Sequence, residues 1–195
     1  MREAPDHEWY PGFLHAAETR PALDEIILST PWRHDEITLF GRTHPVPRLT
    51  ALYGDPGAHY SYSRLHLEPL TWTKRLAEWR DRVRETTGCR TNSVLLNYYR
   101  DGRDSNGWHA DDEPELGAEP VIASLSLGAT RTMRFRRRDD SARRWSVELA
   151  DGDLLVMRGD SQREWLHTVA KSARVSDPRV NLTFRWIEDT PPVSP

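Results

Sequence analysis

RVNLTFR, residues Arg179–Arg185, alternates without a break. Successive side chains of a strand point to opposite faces. Val180, Leu182 and Phe184 therefore fall on one side of an extended chain, and Arg179, Asn181, Thr183 and Arg185 on the other. Such a strand puts an apolar face into a core and leaves a second face carrying two cations. That second face is either a solvated edge or a binding face for a small dianion, since paired guanidiniums hold carboxylates in bidentate geometry.

The segments upstream read as the same kind of structure. Short strands are expected at Ser93–Tyr99, Val121–Leu127, Thr132–Arg136, Trp145–Leu149, Asp153–Met157 and Trp165–Ala170, with the last running Arg179–Ile187. Gly, Asp, Asn and Pro separate them, the pattern of a β-sandwich, jelly roll or barrel. The clearest helix spans Thr73–Thr87. Leu76, Trp79 and Val83 share its apolar face, and Gly88 ends it as a C-cap. Further towards the N-terminus, Glu36–Phe40 alternates as a strand, a Pro/Gly-rich region runs from Gly41 to Gly57, and Tyr60, Tyr62, Leu65 and Leu67 suggest extended chain. Residues 1–35 read as loop with one short helix beginning at Pro21. The expectation is a single domain, 1–195, of α+β class and mainly β, with its β core in residues 91–190.

A chain of 195 residues is long enough to bury a proper core. Its formal net charge of −3 provides no overall field to draw it onto nucleic acid. The charge is uneven, however: residues 131–144 hold seven arginines, whereas the charged residues of 101–119 are seven acids and one arginine. Cys89 is the only cysteine, which excludes an internal disulfide, a Cys-based zinc finger and an iron–sulfur cluster. The N-terminus lacks the apolar stretch of a signal peptide and no apolar run is long enough for a bilayer, so a reducing, intracellular, cytoplasmic location with no membrane is expected.

NYYRDGRDSNGWHADDE, Asn97–Glu113, contains His109 and Asp111 separated by one alanine. On a strand the pair would face the same side roughly 7 Å apart at Cα, within reach of one metal ion. Downstream of it stands one more histidine, His167, in REWLHTVA. Two histidines and a carboxylate make the facial set that leaves three positions open on non-haem Fe(II), although zinc accepts the same donors. In SVLLNYY, Asn97 and Tyr99 share a face and offer an amide and a phenol to a carboxylate.

Together, His109-x-Asp111, His167 and Arg179-x-Asn181-x-Thr183-x-Arg185 resemble the AlkB family of Fe(II)/2-oxoglutarate dioxygenases, which repair alkylated nucleic acid bases. The animal-type DNA-repair branch is the most similar. The resemblance extends over LFGRTHPVPRLTALYGDPGAHYSYS, VLLNYYRDG, HADDE, PVIASLSLGATRTMRFR and PRVNLTFR, roughly Leu39 to Trp186. It implies a double-stranded β-helix (jelly roll) in residues 91–190, preceded in residues 1–90 by helices and a nucleotide-recognition lid, and a monomer. It implies that His109, Asp111 and His167 hold iron. Arg179 and Tyr99 would then bind the far carboxylate of 2-oxoglutarate and Arg185 and Asn97 its near end, with Asn181 on the same face. The implied reaction consumes O2, gives succinate and CO2, and removes an N-methyl group as formaldehyde.

The implied substrate is a 1-methyladenine or 3-methylcytosine type base in single- or double-stranded DNA, with RNA as an alternative. Such a base must leave the stack to be reached. Asp112 and Glu113 would favour its positive charge, and Tyr60 and Tyr62 would sandwich it. Phe40 is either a finger filling the vacated stack or a buried strand end, and Trp108 is pocket wall or core. The arginine run at 131–138, with Arg48 and Arg103, is a phosphate track or a solvated face. Two rivals remain: a dioxygenase of the same fold acting on a small molecule or protein side chain, and a non-catalytic module that binds damaged DNA.

Overall fold

RVNLTFR forms an interior strand. Among residues 3–39, 42–62 and 65–188, which this computed structural model describes, the elements follow the order β1 (His7–Tyr10), α1 (Ala16–Ser29), β2 (Glu36–Leu39), β3 (Arg42–Pro45), β4 (Leu49–Gly54), β5 (Tyr60–Tyr62), β6 (Leu65–Leu67), α2 (Lys74–Thr87), β7 (Ser93–Tyr99) and β8 (Asn106–His109). After them come β9 (Ile122–Gly128), β10 (Arg131–Arg137), β11 (Arg144–Leu149), β12 (Leu154–Met157), α3 (Ser161–Glu164), β13 (Trp165–Val169) and β14 (Arg179–Arg185).

Ten of these strands form two layers, while β2 pairs with β3 and β5 with β6 as separate hairpins. A six-stranded antiparallel sheet has the order β1-β12-β9-β14-β7-β4, and a four-stranded one has the order β11-β10-β13-β8. This is the expected jelly-roll core. β14 lies between β7 and β9, where Val180, Leu182 and Phe184 are wholly buried. They pack with Val94, Leu96 and Leu125 against Ala22 and Ile26 of α1 and Leu76, Trp79 and Val83 of α2. The opposite face turns towards the four-stranded sheet, whose Met133, Phe135, Trp165 and Val169 belong to a second buried cluster. Arg179, at 1% exposure, and Arg185, at 4%, lie between the layers, so the solvated-edge reading of this strand is excluded.

α2 follows the sequence closely. Thr73 caps it, its hydroxyl accepting from Leu76 N at 3.2 Å, and Gly88 closes it in the left-handed region at φ 69°. α1 departs from expectation: it begins at Ala16, with Pro21 inside it rather than opening it. Two contacts move the start upstream. His15 Nδ1 accepts from Ala17 N, and the Thr19 hydroxyl donates to Asp151 in the β11–β12 turn at 2.5 Å. The second contact spans 132 residues, so no local rule could anticipate it.

Four strands went unread: β3, which pairs with β2 inside the Pro/Gly-rich region, and β1, β4 and β8. β1 and β4 form the two edges of the large sheet, and β8 forms one edge of the small sheet. β4 is buried at nearly every position and lacks a period-two signature. Gly102 ties the β7–β8 turn to the β13–β14 connection. Its N–H donates to Val175 O at 2.9 Å and its carbonyl accepts from Ser172 N at 2.8 Å. A Cβ there would lie 1.8 Å from Ser172 O, so this contact requires glycine. No helix among the described residues is long and apolar enough to cross a membrane.

Candidate active site

β8 and β13 are neighbours, and their register places His109 directly opposite His167. Asp111 follows β8 by two residues and turns inward beside them. The nearest ligand atoms of the three side chains all lie within 4.8 Å of one another. His167 Nε2 stands 3.7 Å from Asp111 Oδ2, and Arg185 Nη2 donates to Asp111 Oδ1 at 2.6 Å. The Asp111 backbone N–H donates to Gln162 Oε1 at 3.0 Å, which fixes the turn carrying the carboxylate. His109 Nδ1 lies 2.8 Å from Gly107 O. A carbonyl only accepts, so Nδ1 carries the proton and Nε2 presents its lone pair, to which the Asn106 amide donates at 3.1 Å.

The protonation states suit a metal. Burial opposes ionisation of Asp111, but Arg185, His167 and His109 outweigh it and hold the carboxyl at about 2. Burial, with His109 alongside, pushes His167 down to about 3, and burial also lowers His109. Near neutral pH the site therefore holds two neutral imidazoles and a carboxylate, the forms that ligate divalent metals. The folded values lie below the ordinary 6.5 of histidine and 3.8 of aspartate. The unfolded chain thus binds more protons, and the stability these groups provide is lost as pH falls, first below about 6.5 and then through the Asp111 range. Metal-free protein is expected to melt at progressively lower temperature from pH 7.5 to about 4.5. A flat melting profile over that range would contradict the assignment.

Beyond His109, Asp111 and His167 the cavity is lined by Asn97, Tyr99, Ser124, Asn181, Thr183 and Arg185. The β7, β14 and β9 registers bring them together, Asn181 lying opposite both Asn97 and Ser126. Arg179 sits at the far end, its guanidinium 5.3 Å from the centre of the Tyr99 ring and bonded to Ser126 Oγ at 2.9 Å. Arg179 Nε and Nη1 and Arg185 Nε are buried without a hydrogen-bond partner. Buried donors on a cation are costly unless an acceptor meets them. A carboxylate at each end of a short dianion would supply such acceptors, so these residues fit 2-oxoglutarate beside a metal. Asn181 lines the cavity on the expected face, and its amide donates to Ser124 Oγ and Leu125 O while its oxygen accepts from Thr183, so it also braces β14 against β9.

Of the expected substrate contacts, Tyr60 and Glu113 enter the cavity. Tyr60 is 2% exposed and lies over the Arg185 guanidinium. Glu113 Oε2 is buried without a partner, and burial followed by the Asp111 charge raises its carboxyl to about 6. The other expectations are corrected. Arg48 is no phosphate contact; it is buried in the same cavity, donating to Asn97 Oδ1 at 2.7 Å. Asp112 points outward to pair with Arg138. Trp108 is neither pocket wall nor core, because strand parity turns it outward when His109 turns in; it is 39% exposed. In the arginine run, Arg131 is buried on the carbonyls of Asp104 and Ala170, and Arg137 is held by Asp139 and Glu164. The exposed Arg103 is clasped by Asp101. Phe40 and the Tyr62 side chain lie outside the described residues. Sequence reading missed Asn106, Gln162 and Ser126, whose short polar side chains carry no periodic signal.

Comparison with known proteins agrees with this geometry. Residues 6–185 match the family model described as the 2OG-Fe(II) oxygenase superfamily. The chain is 41% identical to mouse "Alpha-ketoglutarate-dependent dioxygenase alkB homolog 3", with 95% of this chain and 68% of that protein covered. It is 44% identical to mouse "DNA oxidative demethylase ALKBH2", with 80% of this chain and 68% of that protein covered. Two solved structures share the fold at low identity: "The structure of OsALKBH1", with a TM-score of 0.64 and 18% identity over 93% of this chain and 98% of that one, and a Pseudomonas putida prolyl-4-hydroxylase, with 0.60 and 16% over 94% and 93%. The His–Asp–His cluster and the orphaned guanidiniums thus find their explanation in ancestry as well as chemistry: this chain belongs to the 2OG-Fe(II) oxygenase superfamily, an enzyme whose cofactors are Fe(II) and 2-oxoglutarate.

Proposed function

We propose that this chain oxidatively demethylates N-alkylated bases of the 1-methyladenine and 3-methylcytosine type in DNA. The observation that carries the proposal is Glu113: a carboxylate oxygen buried without a partner, two residues from Asp111 and in contact with Tyr60. A cationic base is the natural partner for that carboxylate. The names of the two mouse relatives, an alkB homolog 3 dioxygenase and a DNA oxidative demethylase, support the same substrate class.

The bound cofactors supply, with O2, the oxidising power that hydroxylates an N-methyl group while 2-oxoglutarate becomes succinate and CO2; the hydroxymethyl product then releases formaldehyde. The chain's own part is placement. His109, Asp111 and His167 hold the metal, and Arg185 occupies Asp111 Oδ1, leaving Oδ2 on the His167 side. Arg179 and Tyr99 take the far carboxylate of the cosubstrate, and Arg185 and Asn97 its near end. Tyr60 packs against the base, and Glu113 stabilises its charge. Methylation at a pairing nitrogen lowers the cost of extrusion, so damaged bases enter more readily than normal ones. The chain works as one unit, the part before residue 91 supplying both the helices that back the large sheet and the lid through which the nucleotide enters.

The test is a single-stranded oligonucleotide carrying one 3-methylcytosine, incubated with protein, Fe(II), ascorbate and 2-oxoglutarate beside a His109→Ala control. The expected result is loss of one CH2 from the oligonucleotide mass with the parent protein only. Succinate release with the oligonucleotide unchanged would point to another substrate, and no succinate from folded, iron-loaded protein would point to a binding module. Glu113→Gln should lower kcat/KM for this oligonucleotide about 10- to 100-fold, the worth of a charged hydrogen bond. With the parent, kcat/KM should fall as pH drops through about 6, where Glu113 takes up its proton. The variant should lack that limb; its persistence would assign the limb to another group.

A further inference from the structure

The outward face of the small sheet has no part in the chemistry above, yet its residues are unusual for a solvated surface. Trp108, half exposed on β8, lies under the Arg136 guanidinium, 4.5 Å from the ring centre. Next to it is a hollow of about 300 Å³ bordered by Trp108, Arg134, Arg144 and Ser146, with Phe135 and Trp145 also in its lining. Across β10 and β11 the register pairs Arg134 with Ser146 and Arg136 with Arg144. Among the described residues, no carboxylate forms an ion pair with Arg134, Arg136 or Arg144, although most other arginines have one. Arg144 Nε donates to the Ser141 carbonyl, and Glu148 lies further along β11, opposite Thr132.

Cations lacking counter-ions next to an exposed indole suit a chain that alternates phosphates with flat rings. The position suits it as well. β8 is an edge strand, and Trp108 adjoins the metal ligand His109. A strand leaving the cavity around that edge meets Trp108 first and then crosses β13, β10 and β11, a width of roughly 14 Å from three strand spacings. We propose that this face carries the single-stranded DNA next to the target base, with one base stacked on Trp108 and the phosphates on Arg134, Arg136 and Arg144. The proposal rests on the demethylase reading and extends it from the base that reacts to the track that holds its neighbours.

The experiment compares a labelled 12-nucleotide single strand with a trinucleotide, each carrying one 3-methylcytosine, by anisotropy across a salt series, using the full chain. Trp108→Ala should weaken 12-mer binding about tenfold, within the range for losing one stacked base, while Trp108→Phe keeps most of the affinity. Arg134→Gln, Arg136→Gln and Arg144→Gln together should reduce the slope of log affinity against log salt by about 2, since each phosphate contact on a single strand contributes about 0.7. Trinucleotide binding should change far less in either variant. If the parent demethylates the 12-mer but both variants bind it with parental affinity and salt slope, this inference falls and the demethylase reading stands. If the parent neither binds nor demethylates the 12-mer, the demethylase reading falls and takes this inference with it.

Discussion

Arg179→Met is expected to remove most of the thermal stabilisation that 2-oxoglutarate confers, while leaving the cosubstrate-free fold as stable as before or more so. Arg179 is a fully buried cation, and burial lowers its pKa to about 10. Without cosubstrate, only Nη2 has a partner, Ser126 Oγ. Exchanging an under-compensated buried charge for an apolar side chain of similar length is commonly neutral or stabilising by about 1–4 kcal/mol. Removing it from a desolvated carboxylate contact costs about 2–5 kcal/mol, a loss of roughly 30-fold to several thousand-fold in cosubstrate affinity. Melting curves with and without 2-oxoglutarate check both halves. At a concentration that stabilises the parent by about 2.7 kcal/mol, a hundred times its Kd, the variant's stabilisation should fall to about 0.9 kcal/mol or less. An undiminished shift would place the far carboxylate elsewhere.

Asp111→Ala should be destructive in a different way, losing the metal and much of the stability together. Asp111 is the buried counter-ion of Arg185, whose pKa is raised chiefly through that carboxylate, against the effect of burial. Removing one partner of a buried pair costs about 3–5 kcal/mol because the other charge is stranded. A double variant separates the two effects. Asp111→Ala with Arg185→Met should recover most of the unfolding free energy in urea while Co(II) binding stays absent. If the double variant unfolds as readily as Asp111→Ala alone, the pair is not what stabilises this end of the sandwich.

These two residues also show what could be read from sequence. In RVNLTFR the alternation alone separates Val180, Leu182 and Phe184 from Arg179 and Arg185, because the side-chain period of a strand is a local property of the backbone. The same locality made α2 legible, with Thr73 and Gly88 as its caps. The resemblance of the motifs to a known family added the roles of the ligand and cosubstrate residues.

Parity also explains Trp108. Once His109 faces inward its neighbour must face out, yet nothing local says that β8 is a strand or which way it turns. Arg48 was misplaced for a related reason. Its destination depends on β4 pairing with β7, which brings Thr50 opposite Asn97 and draws Arg48 into the cavity. In the arginine run, Met133 and Phe135 mark the inner face, but which arginines meet buried carbonyls depends on Asp104 and Ala170, brought there by other strands.

The sequence by itself determined the two-faced strands and the capped helix, because periodicity and capping act between near neighbours, and its motifs carried the family resemblance that singles out His109, Asp111, His167, Arg179 and Arg185. Only the tertiary structure decided that β8 pairs with β13, that Arg185 meets Asp111, that Gln162 holds the turn between the ligands, and which arginines remain free. Those outcomes depend on strand register and burial among residues 49 to 74 positions apart, which no local pattern encodes.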